Sequence, residues 1–228
     1  MAAEPSEKRG QDRRQDRKAE KRLAILDGAV RVFAEKGFFN ATVAEIARAA
    51  GVADGTIYLY FKSKDELLLS VFDEKMQLLC DAAREATQGL SSAAAALERV
   101  VELHLSAVEA NPAVASVLIV ELRQSSAFVQ DADKPRLTEY LKLIGDIVKA
   151  GQATGEFRPD VHPSAVKRAL FGALDEIALG WLVARRKFDL AQTGRQMGNL
   201  FVRGLVAQSP GTQNQRQSPA ASGEGEST

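Results

Sequence analysis

Apolar side chains recur every three to four residues along most of this chain, and no stretch alternates with period two for long enough to predict a strand. The pattern therefore predicts an all-α protein of about nine helices. A first helix is expected from about Ala19 to Lys36, with Leu23, Leu26, Ala29, Val30 and Phe33 on one stripe and Gly37 ending it. Thr42-Val43-Ala44-Glu45 is a capping box that opens a short second helix, closed by Gly51. A third short helix begins near Asp54 and ends near Phe61. Ser63-Lys64-Asp65-Glu66 is a second capping box, launching a long helix to about Thr87.

Farther on, Leu97, Val101, His104, Leu105 and Val108 form a stripe ended by Asn111-Pro112, and a short helix is expected from Ala113 to Arg123. After a polar connection around Asp131 to Pro135, Leu137, Leu141, Ile144 and Val148 fall on one helical face that Gly155 should close. Pro163 suits the first turn of the next helix, whose segments 169–174 and 177–183 are apolar nearly all round. A helix apolar on every side in so small a protein needs a partner. This helix and the last one are therefore expected to pair with their copies as a four-helix dimer interface through Phe171, Leu174, Trp181, Met197, Leu200, Phe201 and Leu205. Gly172, Gly180, Gly198 and Gly204 would be its points of close approach.

Charge alters this picture only when it is divided along the chain. Lys plus Arg and Asp plus Glu number 30 each in 228 residues, a net of zero. Residues 1–64 carry 13 basic against 9 acidic groups, a net of +4, and residues 65–228 carry 17 against 21, a net of −4. The stretch 7–22 has eight basic and four acidic residues and no large apolar one, so residues 1–18 read as a basic, disordered arm that is either a solubilising tail or a minor-groove arm. Residues 19–65 then form a small N-terminal domain and residues 66–207 a larger one. The Gln-, Ser-, Gly- and Pro-rich residues 208–228 form a tail too polar to order itself. One cysteine, Cys80, excludes an intramolecular disulfide and fits a reducing cytoplasm. No apolar run approaches the roughly 20 residues of a membrane span, and the charged N-terminus lacks a signal-like core, so a cytoplasmic, membrane-free protein is expected.

Two short helices joined by a tight turn behind a longer one form a helix-turn-helix unit, which lays its second helix in the major groove of DNA. In that second helix, Ile57 and Phe61 can pack inward while Thr56, Tyr58 and Tyr60 offer hydroxyls and Gly55 allows close backbone approach. Core packing remains the commoner role for such aromatics.

The blocks Thr42-Val43-Ala44-Glu45-Ile46-Ala47, Ala50-Gly51-Val52 and Gly55-Thr56-Ile57-Tyr58-Leu59-Tyr60-Phe61-Lys62-Ser63-Lys64-Asp65-Glu66-Leu67 resemble the N-terminal domain of the TetR family of bacterial transcriptional regulators. The resemblance covers about residues 20 to 70. It implies a homodimer on a palindromic operator, usually a repressor, with a C-terminal helical domain that binds a small effector. By the family pattern Thr42, Thr56, Tyr60 and Lys64 would contact phosphates, and Gly55, Thr56 and Tyr58 would lie nearest the bases. Many members carry Ser where this chain has Ala53, so the recognition helix loses that N-cap, and Asp54 is expected to cap instead.

Two further segments, 120–125 and 171–176, are similar to the ligand domains of acyl-CoA-responsive members, which control fatty-acid degradation genes. That implies acyl-CoA as effector, with no cofactor. Such a ligand needs an apolar tunnel, for which Leu118, Leu122, Leu141, Ile144, Phe171 and Leu174 are candidates. It also needs cations for its phosphates, for which Arg123, Arg185, Arg186 and Lys187 are candidates. Simple core packing and a solvated helix end are the plainer roles for these residues. A rival effector is a cationic drug, with Glu121, Asp175 or Glu176 as counter-charge in an efflux repressor. An all-α enzyme is the rival of another class. The residues three before His104 and His162 are Val101 and Pro159, so neither histidine completes the Glu-x-x-His of a carboxylate-bridged metal site. No phosphate loop or nucleophile elbow appears.

Overall fold

The computed structural model describes residues 5–125, 128, 134–185 and 187–207. The tail at 208–228, the polar connection at 131–133 and Arg186 lie outside the described residues. Its helices are α1 (Pro5–Lys36), α2 (Val43–Ala50), α3 (Asp54–Ile57), α4 (Lys64–Thr87), α5 (Ala93–Ala110), α6 (Pro112–Ser116), α7 (Pro135–Ala153), α8 (Pro163–Val183) and α9 (Leu190–Leu205). Helix α6 runs on through a π-helical turn, Val117–Glu121, into a 3-10 turn, Leu122–Gln124. No strand occurs among the described residues; Phe157 and Val206 form an isolated bridge pair. Among them, too, no single helix is long and apolar enough to cross a membrane.

The first capping box forms in full and the second only in half, because the Glu66 carboxylate accepts from the Lys62 amide instead of the Ser63 amide. Thr42 Oγ1 accepts from the Glu45 amide and Glu45 returns to the Thr42 amide, while Ser63 caps α4 by accepting from Glu66. Gly51 ends α2 in the left-handed region at φ +68, where a Cβ would strain the turn. Helix α1 starts well before Ala19, so the basic arm is helical from Pro5 onward rather than disordered. Its stripe is also broader than expected, since Ile25 and Val32 join the core and Leu23 remains exposed.

The N-terminal unit packs α1 against α2 and α4 around Ile25, Phe33, Ile46, Ile57, Phe61 and Leu67. The larger unit wraps α4, α7 and α9 around α5. In α7 the buried line is Tyr140, Ile144, Val148 and Gly151, so Ile144 and Val148 face inward as expected while Leu137 and Leu141 are only half-buried. Gly151 makes this packing possible, because a Cβ there would lie 2.3 Å from the Phe157 ring and 2.8 Å from Ala93 Cβ. Helix α8 buries Val166, Leu170, Leu174, Ala178 and Trp181 on one side. Its other side presents Ala165, Ala169, Gly172, Glu176 and Val183 to solvent.

Candidate functional site

At the tip of the N-terminal unit, Thr42, Gly55 and Tyr58 are exposed and Thr56 and Tyr60 are half-buried. All five thus keep accessible surface on the α2–α3 head. Tyr58 projects freely, being 60% exposed, whereas Tyr60 also packs against the core. Helix α3 is shorter than expected, and the chain continues from Ile57 to Phe61 in tight turns in which Tyr60 and Phe61 both bond to the Ile57 carbonyl. Asp54 does not cap it. The N-cap position is Ala53 and no side chain caps α3 there, although the Thr56 amide bonds to the Ala53 carbonyl (2.8 Å). Thr42 gives its hydroxyl proton to Glu45 (2.9 Å). Hydrogen bonds from Lys36 and then from Thr42 hold the Glu45 carboxyl down to about 2. Phe39 and Leu59, both largely exposed, were not singled out by pattern, because an exposed apolar residue carries no periodic signal.

Lys64 requires a correction. Its ammonium donates to the carbonyls of Phe38 (2.7 Å), Ala41 (3.0 Å) and Phe39 (3.1 Å) and lies 4.6 Å from the Phe38 ring centroid. An ammonium has three N–H donors, so in this conformation none is left for a phosphate. These carbonyls, all in the turn between α1 and α2, converge on one point and so outcompete solvent. Lys64 thus braces the α1–α2 turn from the first residue of α4.

The same turn is gripped from the larger unit. The Phe38 amide donates to Glu121 Oε2 at 2.7 Å, and Glu121 closes the π-helical turn. Next to it, Ser125 Oγ donates to Asp65 Oδ1 (2.9 Å) in the first turn of α4. Two ion pairs, Arg22 with Glu74 and Lys75 with Asp27, tie α1 to α4. The head is therefore held by α4 on one side and by the π turn on the other.

Between these two holds lies an apolar cavity of about 120 Å³. Helix α4 contributes Phe72, Lys75, Met76 and Leu79, the π turn and α6 contribute Val114, Leu118 and Ile119, α5 contributes His104, and α8 contributes Phe171 and Asp175. Of the expected tunnel residues, Leu118 and Phe171 line it, while Leu122, Ile144 and Leu174 are enclosed in the core and Leu141 is on neither surface. Arg123 reaches its rim as the ion-pair partner of Asp175. Arg185, in a left-handed backbone conformation at φ +54, instead borders a separate open cleft with Arg31, Glu35 and Ser116. Helix α6 stands between that cleft and the cavity, so Arg185 and the apolar lining are not brought together.

The expected dimer residues divide in two. Leu174 and Trp181 are core residues, the latter donating Nε1–H to the Phe188 carbonyl, and Phe171 turns into the cavity. An all-apolar helix hides which of its sides faces inward, which is why the pattern misplaced them. Leu205 is also buried, whereas Leu200 is 63% exposed and Met197 and Phe201 are half-exposed. Leu200 and Phe201, with Ala165, Ala169 and Gly204, border an open apolar groove between α8 and α9. A Cβ at Gly172, Gly180 or Gly204 would meet nothing within 4 Å, but Gly198 faces Glu98 of the same chain.

Residues 25–71 match the bacterial regulatory proteins of the tetR family, and residues 72–204 match the C-terminal region of YsiA-like proteins. The fatty acid metabolism regulator protein of Bacillus subtilis (strain 168) is 34% identical over 188 residues, covering 82% of this chain and 97% of that protein. The chain belongs to the TetR family. As a TetR-family protein it is a transcription regulator and not an enzyme. Its fold superposes on the fatty acid degradation regulator FadR from Bacillus halodurans with a TM-score of 0.77 at 35% identity, covering 81% of this chain and 95% of that one. It also superposes on FadR from Bacillus subtilis in complex with stearoyl-CoA with a TM-score of 0.76 at 34% identity, covering 80% and 98%.

Proposed function

We propose that this TetR-family regulator is a homodimeric repressor of fatty-acid metabolism genes, binding a palindromic operator through its α2–α3 heads and released by long-chain acyl-CoA. The observation that carries this reading is the double role of α4. One stripe of that helix walls the apolar cavity, and its first residue, Lys64, holds the turn that precedes α2 in the DNA-binding head. A helix of 24 residues is about 36 Å long, so a small tilt at the cavity becomes a displacement at the head. Operator half-sites sit about 34 Å apart. Moving the two heads by a few ångströms therefore weakens binding without touching any DNA contact. The ligand acts only if it prefers the displaced state.

Thr42, Gly55, Thr56, Tyr58 and Tyr60 form the proposed DNA face. Dimerisation through the groove of α8 and α9, with Leu200, Met197 and Phe201, sets the half-site spacing. The relative solved with stearoyl-CoA supports the choice of effector. So does the state of two of the three counter-charges that a cationic drug would need: Asp175 is paired with Arg123 and Glu121 is bonded to the Phe38 amide. A phosphate can instead compete with Asp175 for Arg123 at the cavity rim. Duplexes selected from a randomised pool supply the operator, and its affinity is then read at fixed salt with and without saturating stearoyl-CoA. A loss of about 5- to 150-fold is expected. An unchanged affinity would sink the proposal.

A further inference from the structure

The cavity contains one polar group whose hydrogen-bonding capacity the fold leaves half used. His104, 8% exposed, borders the cavity from α5 and sets Nδ1 3.1 Å from the Tyr140 hydroxyl on α7. Tyr140 is fully enclosed, and among the described residues this imidazole is the only hydrogen-bond partner of its hydroxyl. A buried O–H needs an acceptor, so the phenol proton points to Nδ1 and the neutral ring carries its own proton on Nε2. Burial holds the imidazole down to about 4, which keeps it neutral at physiological pH. The edge-on Phe171 ring, 6.1 Å away at 85°, fixes its plane. Every completely enclosed side-chain N or O among the described residues has a partner. Nε2 has none, so it keeps accessible surface, and the space beside it is the cavity.

We propose that the His104 Nε2–H is a recognition donor for a carbonyl oxygen of the cavity's occupant, so that this regulator reads an acyl oxygen as well as a hydrocarbon chain. The inference rests on the acyl-CoA reading. In such a ligand the oxygen belongs either to the thioester or to an oxo group farther along the chain. The walls around His104 are otherwise mostly apolar, formed by Phe72, Met76, Leu118 and Ile119, and would hold any alkyl chain of fitting shape. A donor in such surroundings discriminates because a ligand without an acceptor leaves it buried and unpaired.

Calorimetric titration of the full chain with three CoA compounds of one length tests this: stearoyl-CoA, the S-octadecyl thioether lacking the carbonyl, and 3-oxostearoyl-CoA. The variants are His104→Phe and the double His104→Phe with Tyr140→Phe, which removes both hydrogen-bonding partners and leaves no orphan hydroxyl. The unsubstituted protein is expected to bind stearoyl-CoA about tenfold more tightly than the thioether, and the double variant to bind the two alike through loss on the carbonyl side alone. A tenfold preference seen only for the 3-oxo compound, and abolished in the double variant, assigns the donor to the chain oxygen. Equal affinity for all three compounds, or a preference that survives the double substitution, overturns the proposal and leaves acyl-CoA as effector. Failure of all three to bind overturns the effector reading and this inference together.

Discussion

Gly151 sits where a methyl group has no room. In a helix interior Gly→Ala usually stabilises by about 1 kcal/mol. Here the new Cβ would press into the Phe157 ring and Ala93, so Gly151→Ala is expected to destabilise by about 2 kcal/mol, read as a lower urea midpoint with unchanged slope. His104 gives a second prediction. Its folded-state value of about 4 lies below the ordinary 6.5, so between these pH values the unfolded chain takes up a proton that the folded one refuses. The contribution is complete above pH 6.5 and is lost as pH falls toward 4, by up to about 3 kcal/mol. As acid is added across that range the urea midpoint of the native protein should fall further than that of the His104, Tyr140 double variant, which has no imidazole to protonate. At this scale the sequence was least legible. Lys64 stands where a phosphate contact was expected, yet the carbonyls that engage it come from 23 to 26 residues upstream. Tyr140 replaces Leu141 as the inward residue because its hydroxyl finds His104, a pairing no spacing reveals.

Among the elements, those punctuated by local chemistry were readable. Thr42, Gly51 and Ser63 act within a few residues of themselves, so α2 and the start of α4 fall where the capping boxes put them. The segment after α6 was not readable, because a π turn arises when tertiary contacts pull a backbone off its register. Val117–Glu121 forms where two residues, Leu118 and Ile119, face the cavity and a third, Glu121, grips the head. Removing that grip should uncouple the two sites. Glu121→Ala is expected to keep acyl-CoA affinity within about twofold while shrinking the acyl-CoA-induced loss of operator affinity by at least about fivefold, measured as operator affinity with and without ligand. A variant that releases DNA as fully as the native protein would assign the coupling to α4 alone.

For the molecule as a whole, the opposed charges of its two parts matter more than their zero sum. A head with net +4 and a body with net −4 orient the protein toward phosphate, and about six phosphate contacts imply an affinity loss on the order of 10³ between 50 and 200 mM salt. A flat salt response would remove the electrostatic account. The α8 face tests assembly. Gly172→Leu points a large side chain into open space in one chain, so helix stability should hold or rise, while dimerisation at micromolar concentration, read by sedimentation, should fail.

The cavity's small volume has a consequence for what the cell can signal through it. At about 120 Å³ it is smaller than the roughly 300 Å³ at which ligand pockets begin, so an occupant must first part the walls, and its apparent affinity is lowered by the rarity of the open form. Against that fixed cost each buried methylene contributes about 0.8 kcal/mol, or about fourfold in affinity. Short acyl chains, however abundant, stay below the opening threshold. The repressor would then respond to the length distribution of the acyl pool and disregard its total size.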